Sequence, residues 1–470
     1  MTIGATLDAH ARRRPAATAL ICDERRLTWR ELAEAVAGVE RDLDSRAPPA
    51  AGVALLLSDP ARLLVTFLAA ARTGREAQVL DASWPPRLRD EVLAALRPAA
   101  VYADHEPPPP PAAPVARPAP APEAPFYVGF TSGSTGAPKG YRRNHRSWIA
   151  SFEADAQEFG IGPQDVVLAP GSLTHSLFLY AAVHAVHVGA TLILARRFRP
   201  DAALARARED GATVLYGAPT QLRLLLDVAD APLTGMRWVL SSGAKWFAEA
   251  GEALRRRFPA ARFAEFYGAS ELSYVTVRKA DEPCPETSVG RPFAGVRVTI
   301  RDEAGREAPP GRVGRVFVES PFLFDGYVMG GGRLARCGAA MSVGDLGRLD
   351  ADGFLHLVGR EARMIVTSGK NVYPEEVERA LESHPAVAAA AVFGVPDPRR
   401  GERLVAMVLP EGDATPRRRD LSRHLRDRLP TPLTPRILVR PSAWRWTRSG
   451  KTDYAALRAD WDAGRWEMLP

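Results

Sequence analysis

"FYVGFTSGSTGAPKGYRR", Phe126 to Arg143, decides how the rest of this 470-residue chain is read. Phe126 to Phe130 is apolar and strand-like. Thr131, Ser132, Gly133, Ser134, Thr135 and Gly136 then offer hydroxyls and backbone amides with no large side chain in the way, and Lys139 adds a cation. Glycine lets the backbone approach a ligand closely, and successive amides can form a nest for phosphate oxygens. A Walker A loop needs GxxxxGK followed by Ser or Thr, which this stretch lacks. Taken alone, it suits an ordinary turn as well as a phosphate cradle, so its surroundings must decide.

Working outward, apolar residues recur with two periods. Leu32, Val36, Val39 and Leu43 form one stripe of an amphipathic helix, with Thr28 as its cap ahead of Glu31. Trp29 reads as core. Val53–Leu57, Gln78–Leu80 and Ala100–Ala103 read as strands, separated by helical segments 61–72 and 87–97. The alternation resumes after Phe130 with Val166–Leu168, Thr191–Leu194, Val214–Tyr216, Trp238–Ser241 and Arg262–Phe266. Such alternation predicts a parallel sheet covered by helices on both faces. Pro107 to Pro122 is proline-rich and extended, a surface loop inside one domain.

From about Gly290 the pattern turns β-rich, with Val296–Ile300, Val313–Glu319 and Gly353–Val358. A small α+β tail follows Gly359. The expectation is therefore an α/β protein in two domains, residues 1–359 and 360–470. The first has parallel-rich sheets covered by helices plus a β-rich subdomain, and the second is small and mobile.

Composition narrows the class. The chain is 46% hydrophobic and 25% charged, enough to build a core. Its net charge of +7 comes from arginines spread along the whole length, which suits an anionic substrate better than nucleic acid. Cys22, Cys284 and Cys337 fit neither a zinc clip nor a disulfide framework, and no signal-peptide segment opens the chain, so a cytoplasmic setting is expected. Leu177 to Ala195 is uncharged at near membrane-spanning length. Its Gly-Ala-Thr break favours a buried helix followed by a buried strand, without stable membrane insertion.

The loop does not stand alone. YVGFTSGSTGAPKG resembles the phosphate loop of the adenylate-forming superfamily: acyl-CoA synthetases, nonribosomal peptide synthetase adenylation domains and firefly-type luciferases. Further stretches resemble that superfamily in its order: LTWREL at Leu27, YGAP at Tyr216, SSGA at Ser241, FYGASE at Phe266, VGDLGRLDADGFLHLVGR at Val343, TSGKNVYPEEVE at Thr367 and RSGK ending at Lys451. The resemblance runs over nearly the whole chain and leans towards short bacterial fatty-acyl-CoA synthetases. It implies ATP-dependent activation of a carboxylic acid to an acyl-adenylate, then transfer to the thiol of CoA or to the phosphopantetheine arm of an acyl carrier protein supplied in trans. An inactive nucleotide-binding homologue is the third reading.

The resemblance also assigns roles. Glu271 is implied as the Mg²⁺-binding glutamate. Asp345 and Arg360 are implied as the ribose-holding pair. Ser242, Gly243, Ala244, Tyr267, Gly268, Ala269 and Ser270 are implied around the adenine. Lys451 is implied as the catalytic lysine that meets the substrate carboxylate and the α-phosphate. Gly369 and Lys370 are implied in the loop that admits the thiol. His175, implied as a catalytic residue beside Lys451 and Glu271, falls in Leu173–Leu177, the stretch implied to line the acyl pocket. Amino-acid-activating relatives carry an aspartate where this chain has Thr174, which would leave an α-ammonium unpaired, so a simple carboxylic acid is expected. Ala218, Ser242, Gly243, Gly268 and Ala269 are small, fitting either room for an acyl tail or close packing. Two departures stand out: Ala362 takes the place of the usual hinge aspartate, and Gly314-Arg315 that of a usual Gly-Glu pair.

Overall fold

The computed structural model describes residues 1–470 apart from 132–137, 229–230, 243–246, 332–333, 368–369, 398–400, 430–432 and 448–450, and apart from the side chains of 247–249, 366, 370–371 and 401. Its contacts group into two compact units, Met1–Arg297 with Val318–Arg333, and Val298–Phe317 with Leu334–Pro470.

The first unit is built on two sheets. A nine-stranded sheet has a parallel run ordered Arg262–Ala269, Trp238–Ser242, Val214–Gly217, Val166–Ala169, Thr191–Leu194, Thr18–Cys22. Antiparallel strands close it, Ser273–Lys279 with Arg291–Pro292 at one edge and Arg25–Thr28 at the other. Burial on both faces explains the Val/Leu-rich strands: Leu168, Ile193, Leu215 and Val239 sit in one cluster with helix residues Leu204, Leu222 and Leu254. The uncharged 177–195 stretch divides as expected. Helix Ser176–Val188 stops at Gly189 (φ +82), and strand Thr191–Leu194 continues into the sheet. Among the described residues, no helix is long and apolar enough to cross a membrane.

The second sheet of this unit runs Gly326–Met329, Lys139–Asn144, Pro125–Thr131, Glu76–Val79, Gly52–Leu56, Ala100–Ala103. Helix Trp29–Arg46 starts on the foreseen capping box: Glu31 N–H donates to Thr28 Oγ1 at 3.2 Å, and Thr28 N–H to Glu31 Oε2 at 2.8 Å. The proline connector lies along this helix as a strap. Ala112 N–H donates to Glu34 O at 3.0 Å, and Arg117 pairs with Asp44 at 2.7 Å and with the buried Glu40 at 3.4 Å. A Cβ on Gly38 would meet Pro110 O at 2.2 Å, so only glycine admits the strap there.

In the second unit, Gly314–Glu319 pairs with Asp345–Leu349, which pairs with Leu355–Arg360. A further sheet joins Lys370–Val372, Ile365–Thr367, Gly401–Pro410, Ile437–Pro441 and Trp466–Met468, with Val387–Asp397 alongside Gly401–Pro410. Helices Pro374–Glu382 and Arg418–Arg426 cover one face through Val377, Leu381, Leu421 and Leu425. Helix Tyr454–Asp462 packs through Leu457 against Ala391, Met407 and Val439. The compact grouping starts earlier than the sequence break near Gly359, because residues 298–317 are drawn in by strand pairing with Asp345–Leu349.

Candidate functional site

Thr131 ends strand Pro125–Thr131 and faces Lys139 across the antiparallel pair. Ser132, Gly133, Ser134, Thr135 and Gly136 lie outside the described residues. The next strand along is Gly326–Met329, in register with Lys139–Asn144. It sets Tyr327 so that Lys139 Nζ lies 5.9 Å from the ring centre, within cation–π range, while the Tyr327 hydroxyl donates to Glu271 Oε1 at 2.8 Å. The hairpin lysine and the FYGASE glutamate thus meet on one tyrosine, which the sequence reading did not single out.

A second residue it missed, Arg143, braces the glutamate's turn from beneath. Its side chain is 2% exposed, and its guanidinium donates to Ser270 O and Ser273 Oγ, each at 2.7 Å, and to Phe322 O. Burial pushes its pKa down, while the nearby Tyr141 and Glu271 favour its charge. Phe324 N–H donates to Glu271 O at 2.9 Å, tying the same turn to the following segment. A buried arginine spending its donors on carbonyls fixes backbone geometry.

The other first-unit residues cluster at the carboxyl ends of parallel strands, where open α/β sheets bind ligands. Ser242 ends its strand opposite Phe266, and Tyr267, Gly268 and Ala269 end the next one. Gly243 and Ala244 lie outside the described residues. At Gly268 the small residue marks close packing: a Cβ there would meet Ser273 O at 2.0 Å, because the strand bulges as Ser273 turns at φ +58. That position therefore offers no room for an acyl tail. His175 precedes helix Ser176–Val188, its carbonyl accepting from Phe178 and Leu179 N–H at 3.1 Å each. Ser176 Oγ and Ser270 Oγ lie 2.9 Å apart, so the stretch expected to line the acyl pocket touches the FYGASE turn.

In the second unit, Asp345 and Arg360 are directly paired across their strands, with Arg360 Nε donating to Asp345 Oδ1 at 2.9 Å. Lys370 pairs with Thr367 across antiparallel strands, and Gly369 lies outside the described residues. Lys451 closes another tight loop: Thr447 N–H donates to Lys451 O at 2.7 Å, and Lys451 N–H to Thr447 Oγ1 at 3.1 Å. Desolvation by the surrounding chain, then the Arg360 charge, pushes the Lys451 ammonium below the usual lysine pKa. The residue is solvent-exposed. Between these features sits Ala362, in a short 3₁₀ turn, Glu361–Arg363.

Residues 7–328 match the family model described as "AMP-binding enzyme", and residues 376–451 match "AMP-binding enzyme C-terminal domain". The chain is 36% identical over 434 residues to the "Uncharacterized acyl--CoA ligase YhfT" of Bacillus subtilis, covering 88% of this chain and 90% of that protein. It is 32% identical over 327 residues to the "Putative long chain fatty acid-CoA ligase VraA" of Staphylococcus haemolyticus, covering 69% and 68%. Its fold matches the crystal structure of ATP-bound MatB from Rhodopseudomonas palustris with a TM-score of 0.87 at 23% identity, over 98% of this chain and 99% of that one.

Proposed function

Because this chain belongs to the AMP-binding enzyme family, we propose that it is an AMP-forming acid–thiol ligase: ATP and a carboxylic acid give an acyl-adenylate and pyrophosphate, then CoA takes the acyl group and AMP leaves. The observation that supports it most is the meeting of Lys139 and Glu271 on Tyr327, beside the Thr131 hairpin. A cation and a carboxylate held next to a Gly/Ser/Thr-rich loop suit a triphosphate with its counter-ion.

The roles follow from charge. Residues Thr131 to Gly136 and Lys139 take the phosphates. Ser242, Gly243, Ala244 and Tyr267 to Ser270 flank the base, and Asp345, oriented by Arg360, accepts the ribose hydroxyls. Magnesium takes one or two carboxylates together with phosphate oxygens and water. Glu271, a single carboxylate with one oxygen already oriented by Tyr327, fits that donor set, and the bound ion would neutralise phosphate charge. A carboxylate and a triphosphate repel each other, so the attack needs a further cation, and Lys451 supplies it. His175 lies on the acyl side. Gly369 and Lys370 admit the thiol, and residues 360–470 carry Lys451 as a mobile lid on residues 1–359.

The acid is aliphatic on this proposal. Thr174 supplies no carboxylate for an α-ammonium, and the VraA relative is named for fatty acids. The test is ATP–pyrophosphate exchange over a panel of acids. Exchange with an aliphatic acid is expected, and none with any acid would leave an inactive nucleotide-binding protein. Lys451→Ala is expected to lose adenylate formation by about 10²-fold or more, the scale of one lost transition-state contact, yet still convert a pre-made acyl-adenylate. Full adenylation by this variant refutes the lysine's role. Replacing CoA with a phosphopantetheinylated carrier protein distinguishes the alternative acceptor.

A further inference from the structure

Helix Ser176–Val188 leads inward from the Ser176–Ser270 contact, and its spacing sets Tyr180 and His184 on the same face as Ser176, at successive steps of four. That face is filled. Tyr180 packs edge-on against Tyr274 (ring centres 5.3 Å apart), Phe152 (5.1 Å) and Trp148 (5.4 Å). Tyr274 in turn stacks on Phe293 at 4.5 Å and meets Phe266 edge-on at 4.8 Å. Contacting carbon atoms already sit about 4 Å apart, so rings this close leave no passage an alkyl chain could thread without displacing one.

Nor is the Tyr274 ring free to swing. Beneath them lies Asp155, wholly buried, whose Oδ2 accepts from Tyr274 OH at 2.9 Å and from Tyr216 OH at 3.2 Å, with His184 Nδ1 3.6 Å from Oδ1. Burial raises the Asp155 pKa to about 7 and lowers that of His184 to about 3. Rotating Tyr274 aside would take one of two hydroxyl donors from a buried carboxyl.

We infer that Tyr180 and Tyr274 form a fixed floor to the acyl pocket, which makes this chain a ligase for short carboxylic acids. The inference rests on the reading of His175–Ser176 as the acyl side. From Ser176 to Tyr180 is four residues, about 6 Å of helix rise, and an extended chain advances about 1.2 Å per bond, so roughly four to six carbons fit above the floor.

The experiment is the specificity of the wild-type enzyme for straight-chain acids from acetate to palmitate, read as ATP–pyrophosphate exchange and as CoA ester formed. The expected profile peaks at about four to six carbons and falls by tenfold or more for acids twice that length. Tyr180→Ala is expected to move the peak to longer acids, while Tyr180→Phe, which keeps the ring, leaves it in place. A wild-type preference for long acids overturns the floor even if the alanine variant fails to fold, and a folded Tyr180→Ala with an unchanged profile overturns it too. Silence with every acid defeats the proposed function instead, so the two failures are told apart.

Discussion

Ala362 has a different kind of neighbour on each side, although both are ion-paired. On one side Glu361 pairs with Arg315, at side-chain exposures of 47% and 35%. On the other, Arg363 is held four ways. Its Nη1 reaches Glu375 Oε1 at 3.0 Å and Glu378 Oε2 at 3.2 Å, its Nη2 reaches Glu378 Oε1 at 2.5 Å and Val392 O at 3.2 Å, and its guanidinium lies 3.7 Å from the Tyr454 ring centre. Glu378 is only 6% exposed. An exposed pair is screened by water and contributes about 0–1 kcal/mol, whereas losing one partner of a buried pair costs about 3–5 kcal/mol. The lesson is asymmetry: Arg363 is fixed into the C-terminal sheet and helix, while Glu361 is tied lightly, so backbone rotation at Ala362 would strain the weak tie first. It also gives the two departures from the family pattern a shared setting. Arg315, where the resemblance leads one to expect a glutamate, finds its partner one residue before Ala362, where it leads one to expect an aspartate.

The contrast breaks most visibly at Arg363. Arg363→Met is expected to lower stability by about 3–5 kcal/mol in urea denaturation, because Glu378 stays buried without its cation. Burial holds the Glu378 carboxyl above the usual glutamate range, ahead of the lowering by Arg363. With its native pKa raised, the folded chain keeps this proton longer than the unfolded chain does. The penalty is therefore absent below the ordinary glutamate range and enters as pH rises through the native value. The deficit of Arg363→Met should then be smaller at about pH 5 than at about pH 8; a deficit that grows on acidification would contradict this account.

Tyr454→Phe comes next. It keeps the ring under Arg363 but removes the hydroxyl that donates to Glu378 Oε2 at 3.1 Å, with an expected loss of about 1 kcal/mol by the same denaturation. Smallest is Arg315→Ala, expected within about 1 kcal/mol of wild type and fading as salt is added. Its use is kinetic: thioester formation from pre-made adenylate should change while the unfolding midpoint barely moves. A large drop in stability from Arg315→Ala would erase the difference between the two sides.

Much of this architecture was legible locally. Thr28 and Glu31 announced the first long helix, the Val/Leu runs announced the parallel strands, and the Gly189 break separated helix from strand, because caps, periodicity and turns act over a few residues. Asp345 and Arg360 were foreseen together, and antiparallel pairing places them side by side. What stayed hidden depends on long-range register. Arg143 and Tyr327 gain their meaning only when residues 270–273, 322 and 327 are folded against the 139–144 strand, and no local pattern encodes that meeting. Strand Ser273–Lys279 did carry a usable signal, since Tyr274, Thr276 and Arg278 alternate with Val275 and Val277. The membership of residues 298–317 was not readable, because it is decided by a partner strand that arrives later in the chain.

The strap of residues 107–122 along helix Trp29–Arg46 has a consequence for how the chain can vary in length. A segment this rich in proline looks like a spacer that could be trimmed at will, yet Ala112 is bonded to Glu34 and Arg117 is paired to the same helix before the chain enters its strand at Pro125. Residues removed between Arg117 and Pro125 would have to peel the strap from its helix or break the ties of Pro122 and Glu123 to Arg146. Shortening this run would therefore be felt in the strand that leads to Thr131.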